Sequence, residues 1–181
     1  MATSCSSRTP SPLAAIHTRV AETIAVSRPP EAVWAVVADP RNDPRWCRAV
    51  RSVVVVDDGR WRVMHKPIPL RPPRQLELEH VEAEPPRRLV LRQEDAAAVS
   101  YIEYRLEATP TGTRFTQVSQ FAWKGVPRQL HGTFERAVRR EVRRQLQALC
   151  ALLDGDAAVG SLAPGNGRPR GPRDRRSSAG R

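Results

Sequence analysis

The chain has 181 residues, 40% of them hydrophobic, three cysteines and a formal net charge of +11. That length fits one domain with tails, and a domain of roughly 140 residues buries about two-thirds of its unfolded surface without a disulfide or metal staple. Cys5, Cys47 and Cys150 are odd in number and widely spaced, which fits a reducing compartment and no zinc pattern.

No apolar run approaches the ~20 residues needed to span a bilayer. The opening MATSCSSRTPSP lacks the apolar stretch of a secretory signal, so a cytoplasmic protein is expected. Much of the positive charge sits at the C-terminus, where Arg168, Arg170, Arg173, Arg175, Arg176 and Arg181 face one acid, Asp174. Lys66 and Lys124 are the only lysines, so the charge reads partly as a compositional bias towards arginine.

Residues 1–15 and 156–181 are short of apolar side chains and read as disordered tails around a domain over 16–155. The domain opens with a strand at about His17–Ser27, where Val20, Ile24 and Val26 share one face with Glu22. Pro29–Pro30 starts a short helix with Val33, Trp34 and Val37 as its apolar stripe, ended by Asp39–Pro40. Asp43–Pro44 reads as an N-cap and first residue of a second short helix carrying Trp46.

Strands follow at Ser52–Asp57 and Arg60–Lys66, joined by the hairpin signal Asp58–Gly59. Pro67–Pro73 holds too many prolines to be anything but an irregular loop, placed to act as a lid. Further strands are expected at Gln75–Ala83, Arg88–Glu94, Val99–Ala108 and Thr113–Trp123, the last pair joined through Pro110-Thr-Gly112. Gly125-Val-Pro127 then starts a long helix to Asp154, with Gly155 as its stop. Its apolar stripe is Leu130, Phe134, Val138, Val142, Leu146, Leu149 and Leu153, while Glu135–Arg139 and Glu141–Arg144 decorate its outer face.

One helix cannot cover both faces of a seven-stranded sheet. The economical arrangement is an α+β domain whose antiparallel sheet curls around the long helix and leaves space between them. Strand parity then sorts pocket candidates, since polar residues sharing a face with apolar ones point at that space. They are Glu22, His65, His80, Gln93, Tyr101, Glu103, and Gln117 and Ser119 between Phe115 and Phe121. Parity over 99–108 is ambiguous, because Ile102, Tyr104 and Leu106 compete for the inner face. Trp34 and Trp46 read as core residues, with Trp46 also able to line the pocket mouth, and Leu130 and Phe134 read as a helix wall of the cavity or as packing residues. Cys47 and Cys150 read as packing residues beside apolar neighbours.

The phrases EAVWAVVADPRNDPRW, EPPRRLVLR and PTGTRFTQVSQF, with the terminal amphipathic helix, resemble the START-like helix-grip (SRPBCC) superfamily. The polyketide cyclase/dehydrase-like branch is the nearest, over about residues 16–154. Val33, Trp34, Asp39, Pro40 and Trp46 occupy that family's usual positions. The resemblance implies an internal, mostly apolar cavity for hydrophobic ligands. It does not extend to the family's iron-dependent ring hydroxylases, whose closely spaced His/His/carboxylate ligands are missing.

The expected function is binding of a small hydrophobic or aromatic molecule, through Trp46, His65, His80, Gln93, Tyr101, Gln117, Ser119, Phe121, Leu130 and Phe134. An alternative is a polyketide cyclase or dehydratase, with His65, Tyr101 and Glu103 as the acid–base candidates. A second alternative is a polyanion or protein partner held by the basic tail without sequence preference. No cofactor is expected. The four histidines are scattered, and CxxC, HExxH, Gly-x-Ser-x-Gly and phosphate-loop motifs are missing, so no metal site is expected either.

Overall fold

The computed structural model describes residues 16–66 and 74–161, with backbone alone for 156–161. Cys5, the Pro67–Pro73 loop and the tail positions 1–15 and 162–181 lie outside the described residues. Seven strands form one antiparallel sheet: β1 (Thr18–Val26), β2 (Val50–Asp57), β3 (Arg60–His65), β4 (Gln75–Glu84), β5 (Arg88–Glu94), β6 (Ala98–Thr109) and β7 (Gly112–Trp123). Their order is β1-β7-β6-β5-β4-β3-β2, so the first strand closes against the last while β2 forms the far edge. Helices α1 (Pro30–Val37) and α2 (Asp43–Trp46) follow β1, and α3 (His131–Ser161) ends the described chain.

Two glycines make turns with a positive φ that L side chains rarely adopt. Gly59 takes φ +71 in the β2–β3 hairpin. Gly112 takes φ +143 at the start of β7, where an added Cβ would stand 2.1 Å from the Val26 carbonyl oxygen. There β7 meets the end of β1, and the Thr113 hydroxyl donates to the Arg28 carbonyl at 2.6 Å.

The register settles which face each residue joins. Phe115, Gln117, Ser119 and Phe121 of β7 stand opposite Leu106, Tyr104, Ile102 and Ser100 of β6. Tyr104, Ile102 and Ser100 in turn oppose Leu89, Leu91 and Gln93 of β5. This resolves the ambiguous parity of β6: Ser100, Ile102 and Tyr104 face α3, while Tyr101 and Glu103 belong to the opposite face. A bulge between His80 and Glu82 bends β4, consistent with a sheet that curls.

The α3 stripe does its packing in its second half. Val142, Leu146, Leu149 and Leu153 are buried in one cluster with Val33, Val37, Leu78, Leu89, Leu106 and Phe115. Glu22 of β1 fixes the helix across the sheet, accepting from Arg139 at 3.2 Å and Arg143 at 2.9 Å. Leu130 lies before α3, in a 3-10 turn (Arg128–Leu130), and is 46% exposed.

Two local expectations are corrected. α3 runs on past Gly155 to Ser161, since one glycine costs only about 1 kcal/mol within a helix and Ala157 and Ala158 favour continuation. Asp43 is not the cap of α2. Asn42 holds the cap position, and its side chain donates to the Val36 carbonyl at 3.1 Å, leaving Asp43 as the first helical residue.

Candidate functional site

Between the sheet and the first half of α3 lies a cavity of about 290 Å³. Strands β3, β5, β6 and β7 supply its floor through Val63, His65, Gln93, Ser100, Ile102, Tyr104, Gln117, Ser119 and Phe121. Val138, Glu141, Val142 and Gln145 of α3 form the roof, successive turns of one helical face. Asp43 and Cys47, at the start and end of α2, close one side, and Arg74 and Asp95 line another part of the wall.

Most of the wall is apolar, so the polar atoms it contains carry information. Gln117 is 1% exposed; its side-chain N–H donates to the Ser119 hydroxyl at 3.2 Å, while its Oε1 has no partner. A buried carbonyl left unsatisfied costs about 1–3 kcal/mol. Asp43 is 8% exposed, and its carboxyl receives no hydrogen bond among the described residues. Burial, followed by the nearby Asp39 charge, pushes that carboxyl up to about 7.

The neighbouring Cys47 thiol and Tyr104 phenol are pushed well up, by burial first and then by the Asp43 charge. Both are neutral at ordinary pH, so Cys47 does not present a thiolate. Burial and the Arg74 charge lower His65, with Asp95 opposing them, which leaves the imidazole neutral. Asp95 is held low despite burial by the Ala97 and Ala98 amides and by Arg74, with which it forms a close ion pair.

Of the residues expected at a pocket, His65, Gln93, Gln117, Ser119 and Phe121 meet at this cavity. The others stand elsewhere. Trp46 is 1% exposed in the core, edge-on to Tyr104 at 6.3 Å. His80 packs on Trp61 with ring centroids 4.5 Å apart. Phe134 packs on Trp123 at 5.0 Å, beside the cavity rather than on its wall, and Leu130 is exposed.

Tyr101 and Glu103 are corrected by the β6 register, which turns them away from α3. Glu103 accepts from Arg88 at 2.6 Å and Arg105 at 2.9 Å, and these partners hold its carboxyl below the usual range against the effect of burial. His65, Tyr101 and Glu103 therefore do not converge.

Sequence reasoning missed Asp43, Ser100, Tyr104, Glu141 and Gln145. Asp43 was hidden by its resemblance to a helix cap, and Ser100 and Tyr104 by the β6 parity. Glu141 and Gln145, one turn apart, were detectable as polar residues at i+3 and i+7 from Val138. The sequence pattern pairs Glu141 with Arg144 on the outer face, yet that contact is long, at 3.9 Å, and Glu141 lines the cavity.

A long helix laid across one face of a seven-stranded antiparallel sheet, with a hollow between them, defines a START-like helix-grip protein. The chain belongs to the family described as "Polyketide cyclase / dehydrase and lipid transport", whose model matches residues 17–154. No curated protein matches it.

Solved structures share the fold at low identity. Protein CV1439 from Chromobacterium violaceum is 17% identical, with a TM-score of 0.63 over 75% of this chain and 97% of that one. The ZhuI aromatase/cyclase from Streptomyces sp. R1128 is 16% identical, with a TM-score of 0.62 over 77% of this chain and 94% of that one. The di-domain ARO/CYC StfQ from the steffimycin biosynthetic pathway is 11% identical, with a TM-score of 0.65 over 78% of this chain and 52% of that one.

Among the described residues no helix is long and apolar enough to cross a membrane. No group of three or more His, Cys, Asp or Glu among them is placed to hold a metal ion.

Proposed function

We propose that the cavity between the sheet and α3 binds a small hydrophobic or aromatic molecule bearing at least one polar group. The observation that carries this reading is the unpartnered Oε1 of Gln117, held in the wall of a mostly apolar hollow. A packed core would have filled that space or paired that atom. The cavity volume stands at the lower end of small-molecule sites, roughly 300–1,000 Å³. Membership of a family named for cyclases, dehydrases and lipid transport points the same way.

A cyclase or dehydratase is the second reading, and Asp43 is the observation that favours it. A carboxyl at about 7 exchanges protons readily near neutral pH, the range in which general acid–base groups work best. The acid–base role then falls to Asp43, with His65 and Tyr104 on the same cavity wall.

Native mass spectrometry and thermal shift test the binding reading against fatty acids, flavonoids and aromatic polyketides. One retained molecule per chain, or a several-degree rise with one chemical class, is expected. No retained mass and no shift across the panel would sink it.

A further inference from the structure

The charges on the cavity wall do not balance. His65 is neutral, Arg74 is paired with Asp95, and Glu94 is held by Arg92 and by Lys124, the latter at 2.8 Å. Two carboxyls remain. Among the described residues Asp43 forms no ion pair, and Glu141, projecting from α3, has there a single long contact, 3.9 Å to Arg144. The buried Oε1 of Gln117 is a further acceptor on the same wall and lacks a donor. In a chain of net charge +11, the wall thus holds two carboxyls and one buried amide oxygen without a close cation or donor among the described residues.

From these carboxyls and the unpartnered Gln117 oxygen we infer that the cavity selects aromatic or apolar ligands carrying a protonated amine, with Asp43 as the principal counter-ion and Gln117 as a second acceptor. The inference rests on the proposed ligand-binding function and specifies its chemical class. An ammonium group supplies both missing items, a positive charge and several N–H donors, where a hydroxyl supplies one donor and a carboxylate supplies neither. Buried charge is tolerated only when paired, so the amine would hold Asp43 in its ionised form.

Naphthylethylamine, naphthylethanol and naphthylacetic acid share one aromatic body and test the inference by calorimetric titration of the full chain at about pH 8, above the Asp43 value. The amine should bind about tenfold tighter than the alcohol, with the acid weakest, as a charge-assisted hydrogen bond predicts. Surface charge works the other way, because a basic protein attracts the acid. Asp43→Asn should bring amine and alcohol within about twofold of each other. Equal binding of all three, or tightest binding of the acid, would overturn the inference and leave the cavity reading standing. Binding of none of the three would overturn the inference, and the cavity reading falls with it only if the wider ligand panel also gives no retained mass and no shift. Should Asp43→Asn not fold, the wild-type order decides, with Glu141→Gln expected to narrow the gap in part.

Discussion

The same three strands build two different environments on one face of the sheet. Near α1 they present Phe115, Leu106 and Leu89, closed over by Leu149 and Leu153 of α3. Further along they present Ser119, Phe121, Ser100 and Gln93 beneath Val138, Glu141 and Gln145, and the interior is hollow. Backbone and curvature continue from one half to the other; side-chain size and polarity change. The first half supplies stability, which frees the second to hold small and polar groups that a core would reject. Glu103 and Asp43 repeat the lesson for charge. Glu103 is saturated by two arginines and held low, whereas Asp43 is buried with no partner among the described residues and rises to about 7.

Truncation at the packed end should have the largest effect. Phe115→Ala should cost about 3–5 kcal/mol in urea denaturation, as expected for a fully buried aromatic. Phe121→Ala, at the hollow end, should cost well under half of that and weaken ligand binding instead. Equal losses would break the distinction between the two halves.

Asp43→Asn should move stability the other way. A carboxyl at 3.8 when unfolded and about 7 when folded binds more protons in the folded chain across that interval. Wild-type stability from this group is therefore lost as pH rises from about 4 through 7. His65 and His80, both lowered by burial, act oppositely near 6.5, so the difference between variant and wild type isolates Asp43. At about pH 8 the variant should be more stable by about 1–3 kcal/mol, with that advantage vanishing near pH 4. A constant offset at every pH would remove the unpaired-carboxylate account.

Glu103→Gln should lose about 1 kcal/mol at neutral pH, a modest figure because Arg88 and Arg105 are 34% and 49% exposed. Its deficit should shrink in acid, as expected for a carboxyl whose folded pKa is depressed. The smallest change in stability belongs to Gln117→Leu, which removes the orphan carbonyl and should stay within about 1 kcal/mol of wild type while weakening polar ligands.

The strands and the long helix were legible because period-2 and helical patterns are local and strong. Val20, Ile24 and Val26 face inward as their spacing requires, as do Val142, Leu146, Leu149 and Leu153. The cavity wall was legible where one parity was plainly apolar, as for Gln117, Ser119 and Phe121. It was not legible in β6, whose opposite faces both carry aromatic or apolar groups, so Tyr101 and Glu103 competed with Tyr104 and Ile102. Only pairing with β5 and β7 decides that register. Asp43 was concealed because an aspartate before proline is ordinarily a helix cap, and its burial depends on α2 meeting the sheet and α3.

Filling the hollow tests the central claim most directly. Fluorescence titration with the neutral fluorophore phenylnaphthylamine should show one site per wild-type chain. In Ser119→Phe that site should weaken by at least about tenfold, because the added ring occupies the space, while the protein still folds, melting lower because Gln117 loses its hydroxyl acceptor. Equal titrations of the two folded proteins would place binding outside the cavity and contradict the account.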